Sequence, residues 1–388
     1  MQTNHRCTRF VAVAVVFYGL LVLSEQFRFS NHASAQMYEG DSCESMNDLP
    51  GTCMEPQKCT WVQQNVIRKR QYSIYDVPIC GFTVRASLIC CPDESEIRRT
   101  LVGKADQACQ NFARGSAFFA PHIVEGNEAE FGEIPFIVAL GYNSTDSDKE
   151  YDFRCGASWI AKNFLLTAAH CVSGRNQPSI ARIGTLNLTE SDASNFQDSK
   201  IKDCYPHPRY KPKLKYHDIA LIELVTPFKY DDDGIVNKIC LYTDPGDMDP
   251  RHVLTASGWG MTTAGGSTSD VLLKVDLNTE PLERCTKDYR TNAGHFRHKL
   301  PSGVTDRQYC AIGKLGASGD RGDACVGDSG GPLHFRNLSA DRFYLVGISS
   351  FGLGCGSDSA SIYTRVAAYL DWIVPIVWPD QASLLDDE

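Results

Sequence analysis

The sequence predicts an all-β body, an antiparallel barrel or sandwich finished by a C-terminal helix, with a small disulfide-stapled module in front of it. Three observations carry this expectation. From Ile123 to about Pro379, many short apolar runs alternate with Gly, Pro, Asn and Asp, which is the spacing of strands and turns. Six cysteines, Cys43, Cys53, Cys59, Cys80, Cys90 and Cys91, crowd into about fifty residues, a stretch too short to hold itself by a core alone. The run Val366 to Ile373 has helical periodicity and closes the body.

The elements follow in chain order. His5, Arg6 and Arg9 precede an apolar run, Phe10 to Leu23, that is short for a bilayer span. With Ala33-Ser34-Ala35 as a cleavage site before Gln36, residues 1–35 read as a secretory signal peptide; cleavage after Ser24 or a retained anchor are the alternatives. Residues 40–92 form the stapled module, in which Val62 to Val66 and Tyr72 to Val77 look strand-like; six cysteines allow fifteen pairings. From Asp93 to His122 the composition turns charged and small, the signature of an exposed linker, and Cys109 within it needs a distant partner. In the body, residues 123–379, the runs Pro135 to Leu140, Phe164 to Thr167 and Asp218 to Leu224 read as strands, and residues 380–388 as a tail.

Composition narrows the function. The chain has 388 residues, 43% of them hydrophobic, enough for two or three domains with real cores. A formal net charge of −9 speaks against a nucleic-acid partner, and no later run is apolar enough for a membrane partner. Sixteen cysteines fit an oxidising extracellular compartment; loss of Cys7 with the signal leaves fifteen. No Cys-x-x-Cys is matched by a second at zinc spacing, and His207 and His217 have no partners at ligand spacing, so neither metal nor cofactor is expected and both histidines read as structural. Asn143, Asn187 and Asn337 each head a glycosylation sequon. Lys211-Pro212-Lys213-Leu214-Lys215 reads as a solvated basic loop, with contact to an acidic substrate segment as the alternative. Asp231-Asp232-Asp233 reads as a solvated turn.

The chemistry lies in three motifs: Thr167-Ala168-Ala169-His170-Cys171, His217-Asp218-Ile219-Ala220-Leu221 and Gly327-Asp328-Ser329-Gly330-Gly331. In order they supply a histidine, an aspartate entering an apolar strand, and a serine between glycines. Those are the groups that make an alcohol nucleophilic at neutral pH. One Gly-Asp-Ser-Gly string is a weak signal; three motifs in this order are hard to obtain by chance.

With these motifs the mature chain resembles the clip-domain serine proteases of arthropod haemolymph. Its catalytic part is similar to the chymotrypsin/trypsin family from Ile123-Val124-Glu125-Gly126 onward, and the Cys43 to Cys91 cluster resembles the clip module. The resemblance implies a double antiparallel β-barrel. It implies disulfides Cys43–Cys90, Cys53–Cys80 and Cys59–Cys91 in the module, and Cys155–Cys171, Cys285–Cys310 and Cys325–Cys355 in the body. Cys109–Cys240 would hold the two parts together, and Cys204 is left over as a buried free thiol or an intermolecular bridge.

Further roles follow from the same resemblance. His170 would be the general base, Asp218 its orienting partner and Ser329 the nucleophile, with the backbone N–H groups of Gly327 and Ser329 as the oxyanion hole. Ser350 would support the aspartate and, with Gly352 and Ser361, line the substrate site. Asp323, six residues before Ser329, would floor a pocket for arginine or lysine, and Ala324 tilts the choice to arginine. Two departures bear on specificity. Phe351 stands where the family has tryptophan, in the wall along which substrate backbone lies. Ala360-Ser361-Ile362-Tyr363 stands where the family reads Pro-Gly-Val-Tyr, and a hydroxymethyl group there either crowds the pocket, at about 1–3 kcal/mol, or hydrogen-bonds a guanidinium.

Cleavage between His122 and Ile123 would free an amino group to pair with Asp328, which implies a zymogen. His122 is neither arginine nor lysine, and in this the chain is similar to group-C members acting upstream in Toll-type and melanisation cascades. The expected partners are a downstream protease zymogen as substrate, an upstream activating protease and a serpin-type inhibitor, all in the extracellular haemolymph. The competing expectation is a low-activity or non-catalytic binding protein of the same cascade.

Overall fold

A computed structural model describes residues 37–45, 50–68, 74, 77–84, 86–112, 127–174, 176–230, 235–261, 268–292, 298–314, 328–352 and 359–379. The expected signal segment, the cleavage point His122–Ile123, Asp323, Gly327, the half-cystines Cys325 and Cys355, the Asp231–Asp233 turn and the tail lie outside these residues.

The N-terminal module is a four-stranded antiparallel sheet of β1 (Ser42–Glu44), β2 (Pro50–Met54), β3 (Ile79–Phe82) and β4 (Ser87–Pro92), in the order β1-β2-β4-β3. Disulfides Cys43–Cys90, Cys53–Cys80 and Cys59–Cys91 staple it. Val62 to Val66 is helical rather than a strand: α1 (Thr60–Val62) runs into a π-helical turn, Gln63–Arg68. Tertiary contacts override the β-branched propensity here. Cys59, tied to Cys91, caps the helix by accepting the Val62 N–H at 3.4 Å, and Val62 and Val66, four residues apart, face Trp61 and Ile89 in the module core. Of Tyr72 to Val77, the described residues Ile74 and Val77 lie in no strand.

The expected linker is corrected over most of its length, because Glu94–Asn111 forms an 18-residue helix, α2. Asp93 caps it, its Oδ1 accepting the N–H groups of Ser95 at 2.8 Å and Glu96 at 3.3 Å. Leu101, Ala105, Ala108 and Cys109 recur at helical spacing and turn into the core of the body, while the charged residues that resembled a linker occupy the other face. The helix is also bonded down. Arg98 donates to the Thr243 carbonyl at 2.6 Å, Lys104 to that of Trp378 at 3.3 Å, and Cys109 is bridged to Cys240. At its C-terminal end, Arg342 donates to the carbonyls of Cys109, Gln110 (3.1 Å) and Phe112 (3.1 Å), the groups a helix end leaves open.

The body is two six-stranded antiparallel barrels side by side. A short strand, β5 (Asn127–Glu128), precedes them. The first barrel closes β6 (Ile137–Asn143), β7 (Tyr151–Ala161), β8 (Phe164–Thr167), β9 (Ile180–Ile183), β10 (Gln197–Pro206) and β11 (Ala220–Leu224), in the order β10-β11-β8-β7-β6-β9. After β12 (Cys240–Leu241), the second closes β13 (Leu254–Gly258), β14 (Leu273–Thr279), β15 (Gln308–Gly313), β16 (Pro332–Asn337), β17 (Arg342–Phe351) and β18 (Ser361–Arg365). Strand β12 pairs in parallel with β17, and β5 pairs with β14. Trp159, Leu165 and Ile222, cross-strand partners on one face of the first barrel, are buried together, and Leu254, Tyr309, Leu333 and Tyr363 cluster in the second.

Short helices close the structure. The connection after β8 contains the four-residue α3 (Ala169–Val172), tied to β7 by Cys155–Cys171. Helix α4 (Leu282–Asn292) is tied to β15 by Cys285–Cys310. The C-terminal helical run divides into a 3-10 turn, Val366–Ala368, and α5 (Leu370–Val377), which packs against α2. No helix among the described residues is long and apolar enough to cross a membrane.

Candidate active site

The sequence motifs meet at the joint between the barrels. His170 sits in α3, immediately after β8, and Asp218 stands just before β11, so antiparallel pairing of β8 with β11 brings the two together. The His170 backbone N–H donates to Asp218 Oδ1 at 2.9 Å, and its ring Nδ1–H donates to Oδ2 at 2.8 Å. Two bonds to one carboxylate fix both the position and the tautomer of the ring, leaving Nε2 as the acceptor. Asp218 is 2% exposed, whereas the His170 side chain is 27% exposed. The proton-accepting face of the imidazole therefore opens outward from a buried anchor.

The second barrel completes the anchor. Ser350 Oγ–H, near the end of β17, donates to Asp218 Oδ2 at 2.5 Å, and Thr364 Oγ1–H, in β18, donates to the Asp218 backbone carbonyl at 2.7 Å. Burial pushes the Asp218 carboxyl pKa up, but the His170 charge and the hydrogen bonds from His170 and Ser350 outweigh it and hold it below the ordinary value. The residue before it, His217, has a left-handed backbone (φ 56°). Its ring stacks on His207 with centroids 5.0 Å apart and bonds the Tyr369 hydroxyl at 3.1 Å, while His207 meets Tyr369 and Trp372 edge-on. Both histidines thus have packing roles: they join the Asp218 loop to the start of α5.

Ser329 lies on the turn entering β16, and both barrels grip that turn. Its carbonyl accepts the Gly156 N–H of β7 at 2.8 Å, and the next residue, Gly330, donates its N–H to the Ser349 carbonyl of β17 at 2.8 Å. Gly330 has φ +78°, and a Cβ there would stand 2.3 Å from Thr167 Oγ1, 2.5 Å from the Gly156 carbonyl oxygen and 3.1 Å from Cys171 Sγ. Only glycine fits, and the turn is thereby pressed against the residues that flank His170. Asp328 points the other way, its Oδ1 accepting the Gly260 N–H at 2.9 Å; a Cβ on Gly258 or Gly260 would fall 2.1 Å or 2.7 Å from that oxygen.

Ser361 is buried at the start of β18, paired with Ala311, and Gly352 is exposed just past β17. Asn143 and Asn187 are exposed and Asn337 is half-buried at the end of β16. Cys204 is half-buried in β10 opposite Ile222, less enclosed than a core thiol, and burial raises its pKa to about 11. Cys155, His170 and Cys171 lie close enough to suggest a metal trio, but the two sulfurs are bonded to each other and have no thiolate to offer. Sequence reasoning missed Thr364, whose only signal was a hydroxyl in a buried strand, and the inward turn of Lys215, whose ammonium lies over the Phe351 ring 5.1 Å from its centroid.

A paired-barrel body that holds an imidazole on a buried carboxylate, beside a serine on a glycine turn, defines a trypsin-like serine endopeptidase. Residues 123–373 match the Trypsin family model. The serine protease snk of Drosophila melanogaster is 34% identical over 89% of this chain and 80% of its own length. CLIP domain-containing serine protease C9 of Anopheles gambiae is 32% identical over 94% of this chain and 92% of its own. Serine protease Hayan of Drosophila melanogaster is 38% identical over 70% of this chain, a match that spans 41% of that longer relative. The chain belongs to the trypsin family and, within it, to the clip-domain serine proteases.

Proposed function

We propose that this chain is the secreted zymogen of an endopeptidase that is activated by cleavage after His122 and cuts after arginine or lysine. Its substrate would be a downstream clip-protease zymogen in a Toll-type or melanisation cascade of the haemolymph. The observation that carries the catalytic reading is the commitment of His170 Nδ1–H to Asp218, which leaves Nε2 free to act as base. In the reaction, Nε2 takes the Ser329 hydroxyl proton as Oγ bonds to the substrate carbonyl carbon. The oxyanion so formed is held by the N–H groups of Ser329 and Gly327, each such donor contributing roughly 3 kcal/mol. His170 then returns the proton to the leaving amine, and water releases the acyl group by the same route reversed.

Activation would work through Asp328. The new amino terminus at Ile123 would pair with this carboxylate, and a buried pair of this kind, once formed, costs about 3–5 kcal/mol to break. That energy is available to order the oxyanion hole and the pocket floored by Asp323. The upstream activator must accept histidine before the bond, and a serpin-type inhibitor would end the signal. Asn143, Asn187 and Asn337 would carry glycans, as sequons do on extracellular chains. The second reading, a weakly active or non-catalytic cascade cofactor, draws on the buried Ser361 in the proposed pocket wall.

The test is an activatable protein, His122→Arg, cut by a known protease and exposed to a fluorophosphonate probe and to peptides that differ at the residue before the scissile bond. Labelling of Ser329 with cleavage after arginine, lost in Ser329→Ala and weakened in Asp323→Ser, supports the endopeptidase. Cleavage after small or apolar residues means that Ser361 has remade the pocket. Correct processing without labelling or cleavage favours the cofactor.

A further inference from the structure

The basic run before Asp218 divides into two environments. Lys211 and Lys213 are exposed, whereas Lys215 is half-buried and turned toward the site. Its backbone is held on both sides: the Gln308 amide donates to its carbonyl at 2.9 Å, and its own N–H donates to the Lys299 carbonyl at 3.0 Å. Its ammonium sits over the Phe351 ring, and Phe351 follows Ser350, the residue that bonds Asp218. Phe351 is itself set edge-on against Tyr289 at 5.7 Å, so the platform under the ammonium is fixed.

A lysine in such a place is a partly desolvated cation in want of an anion. Among the described residues it has no ion-pair partner; Asp218, the nearest negative influence on it, has its oxygens taken by His170 and Ser350. Burial pulls the ammonium pKa down, and a carboxylate brought to it would offset that cost. The ring beneath is a cation–π support, and the residue is only half-buried.

We infer that Lys215 forms an electropositive subsite that selects a substrate with aspartate or glutamate immediately before the residue whose carbonyl Ser329 attacks. Phe351 follows Ser350, whose hydroxyl bonds the Asp218 that anchors His170, so a substrate segment bound for Ser329 along this end of β17 would pass the ammonium. The subsite rests on the endopeptidase reading above and adds the class of sequence it favours.

The experiment uses the activated His122→Arg protein and peptides identical except for Asp, Glu, Ala or Lys at that position, with Lys215→Gln and Lys215→Glu as variants. An acidic residue is expected to raise kcat/KM about tenfold over lysine, the scale of one partly buried charge pair. Lys215→Gln levels the ratio and Lys215→Glu reverses it. The wild-type preference shrinks as salt rises from about 0.05 to about 0.5 M, which an effect of shape would not do. Cleavage with a ratio near one, or with the same ratio in Lys215→Glu, overturns this subsite and leaves the endopeptidase standing. Absence of Ser329 labelling and of all cleavage would instead sink the reading beneath it.

Discussion

Replacing Gly330 with alanine tests the clamp that both barrels place on the serine turn. Two costs can be worked from the structure. The backbone at φ +78° is left-handed, and an L side chain there costs about 1–2 kcal/mol. The new methyl would also stand 2.5 Å from the Gly156 carbonyl oxygen, a backbone atom that cannot swing aside, and 2.3 Å from Thr167 Oγ1; overpacking of this kind adds about 1–3 kcal/mol. The sum, about 2–5 kcal/mol, is a large share of a domain's net stability. Gly174 is the control: its φ is +115° but nothing lies within 4 Å of its Cβ position, so alanine there meets only the backbone cost, about 1–2 kcal/mol. Denaturant unfolding with disulfides intact measures both variants, and the rate of fluorophosphonate labelling reports whether Ser329 has shifted. Gly330→Ala should label more than tenfold slower, because relief of the clash moves the bond between Gly156 and Ser329. A Gly330→Ala protein within about 1 kcal/mol of Gly174→Ala, labelling at the wild-type rate, would refute the clamp.

Other consequences can be measured alongside. His207 and His334 are buried and their pKa values are pushed from 6.5 down to about 3, mainly by burial. The unfolded chain therefore takes up two protons that the folded chain refuses, so their contribution is complete above pH 6.5 and is lost as pH falls toward 3, at about 2–3 kcal/mol per pH unit near pH 5. Denaturation midpoints between pH 7 and pH 4 show this slope, and His334→Phe should roughly halve it. Arg342→Ala strips a charged donor from the carbonyls of Cys109, Gln110 and Phe112 and should cost about 2–3 kcal/mol, with hydrogen exchange rising first over residues 105–111. Ser361→Gly should raise kcat/KM for an arginine peptide about 5- to 150-fold, the equivalent of removing a crowded hydroxymethyl, and an unchanged value would show that the serine is accommodated.

The fold was legible where periodicity had one interpretation. Phe164 to Thr167 is a short, mainly apolar run and is β8 to the residue, and the apolar run after Asp218 is β11. Legibility failed where a short β-branched stretch carried two periods at once: Val62 and Val66 suit a strand by type and a helix by spacing, and the Cys59–Cys91 bridge decides for the helix. It failed again at α2, where a charged composition masked a small-residue stripe, Ala105, Ala108 and Cys109, whose burial depends on a partner surface from α5 and β12. Within the candidate site, His170, Asp218 and Ser329 announce themselves because each lies in a local motif. Thr364 and Lys215 do not, because what matters about them is which neighbour, far away in sequence, they face.

The same distinction explains why stability and catalysis cannot be separated at this joint. Asp218 belongs by its backbone to the first barrel, yet Ser350 and Thr364 of the second hold its carboxylate and its carbonyl. Ser329 precedes a strand of the second barrel, yet Gly156 of the first holds its carbonyl. Each group on one barrel is thus positioned by donors on the other. A displacement of about 1 Å between the barrels would stretch every one of these bonds past useful length together. The residues that resist it are away from the chemistry: Tyr369 at the start of α5, fastened to His217 beside Asp218, and α2, fastened to α5 and bridged through Cys109 to Cys240. The disulfide-tethered helix α2 is accordingly part of what holds the catalytic groups in register, and cleavage after His122, as proposed above, would leave it bridged to the body through Cys109–Cys240.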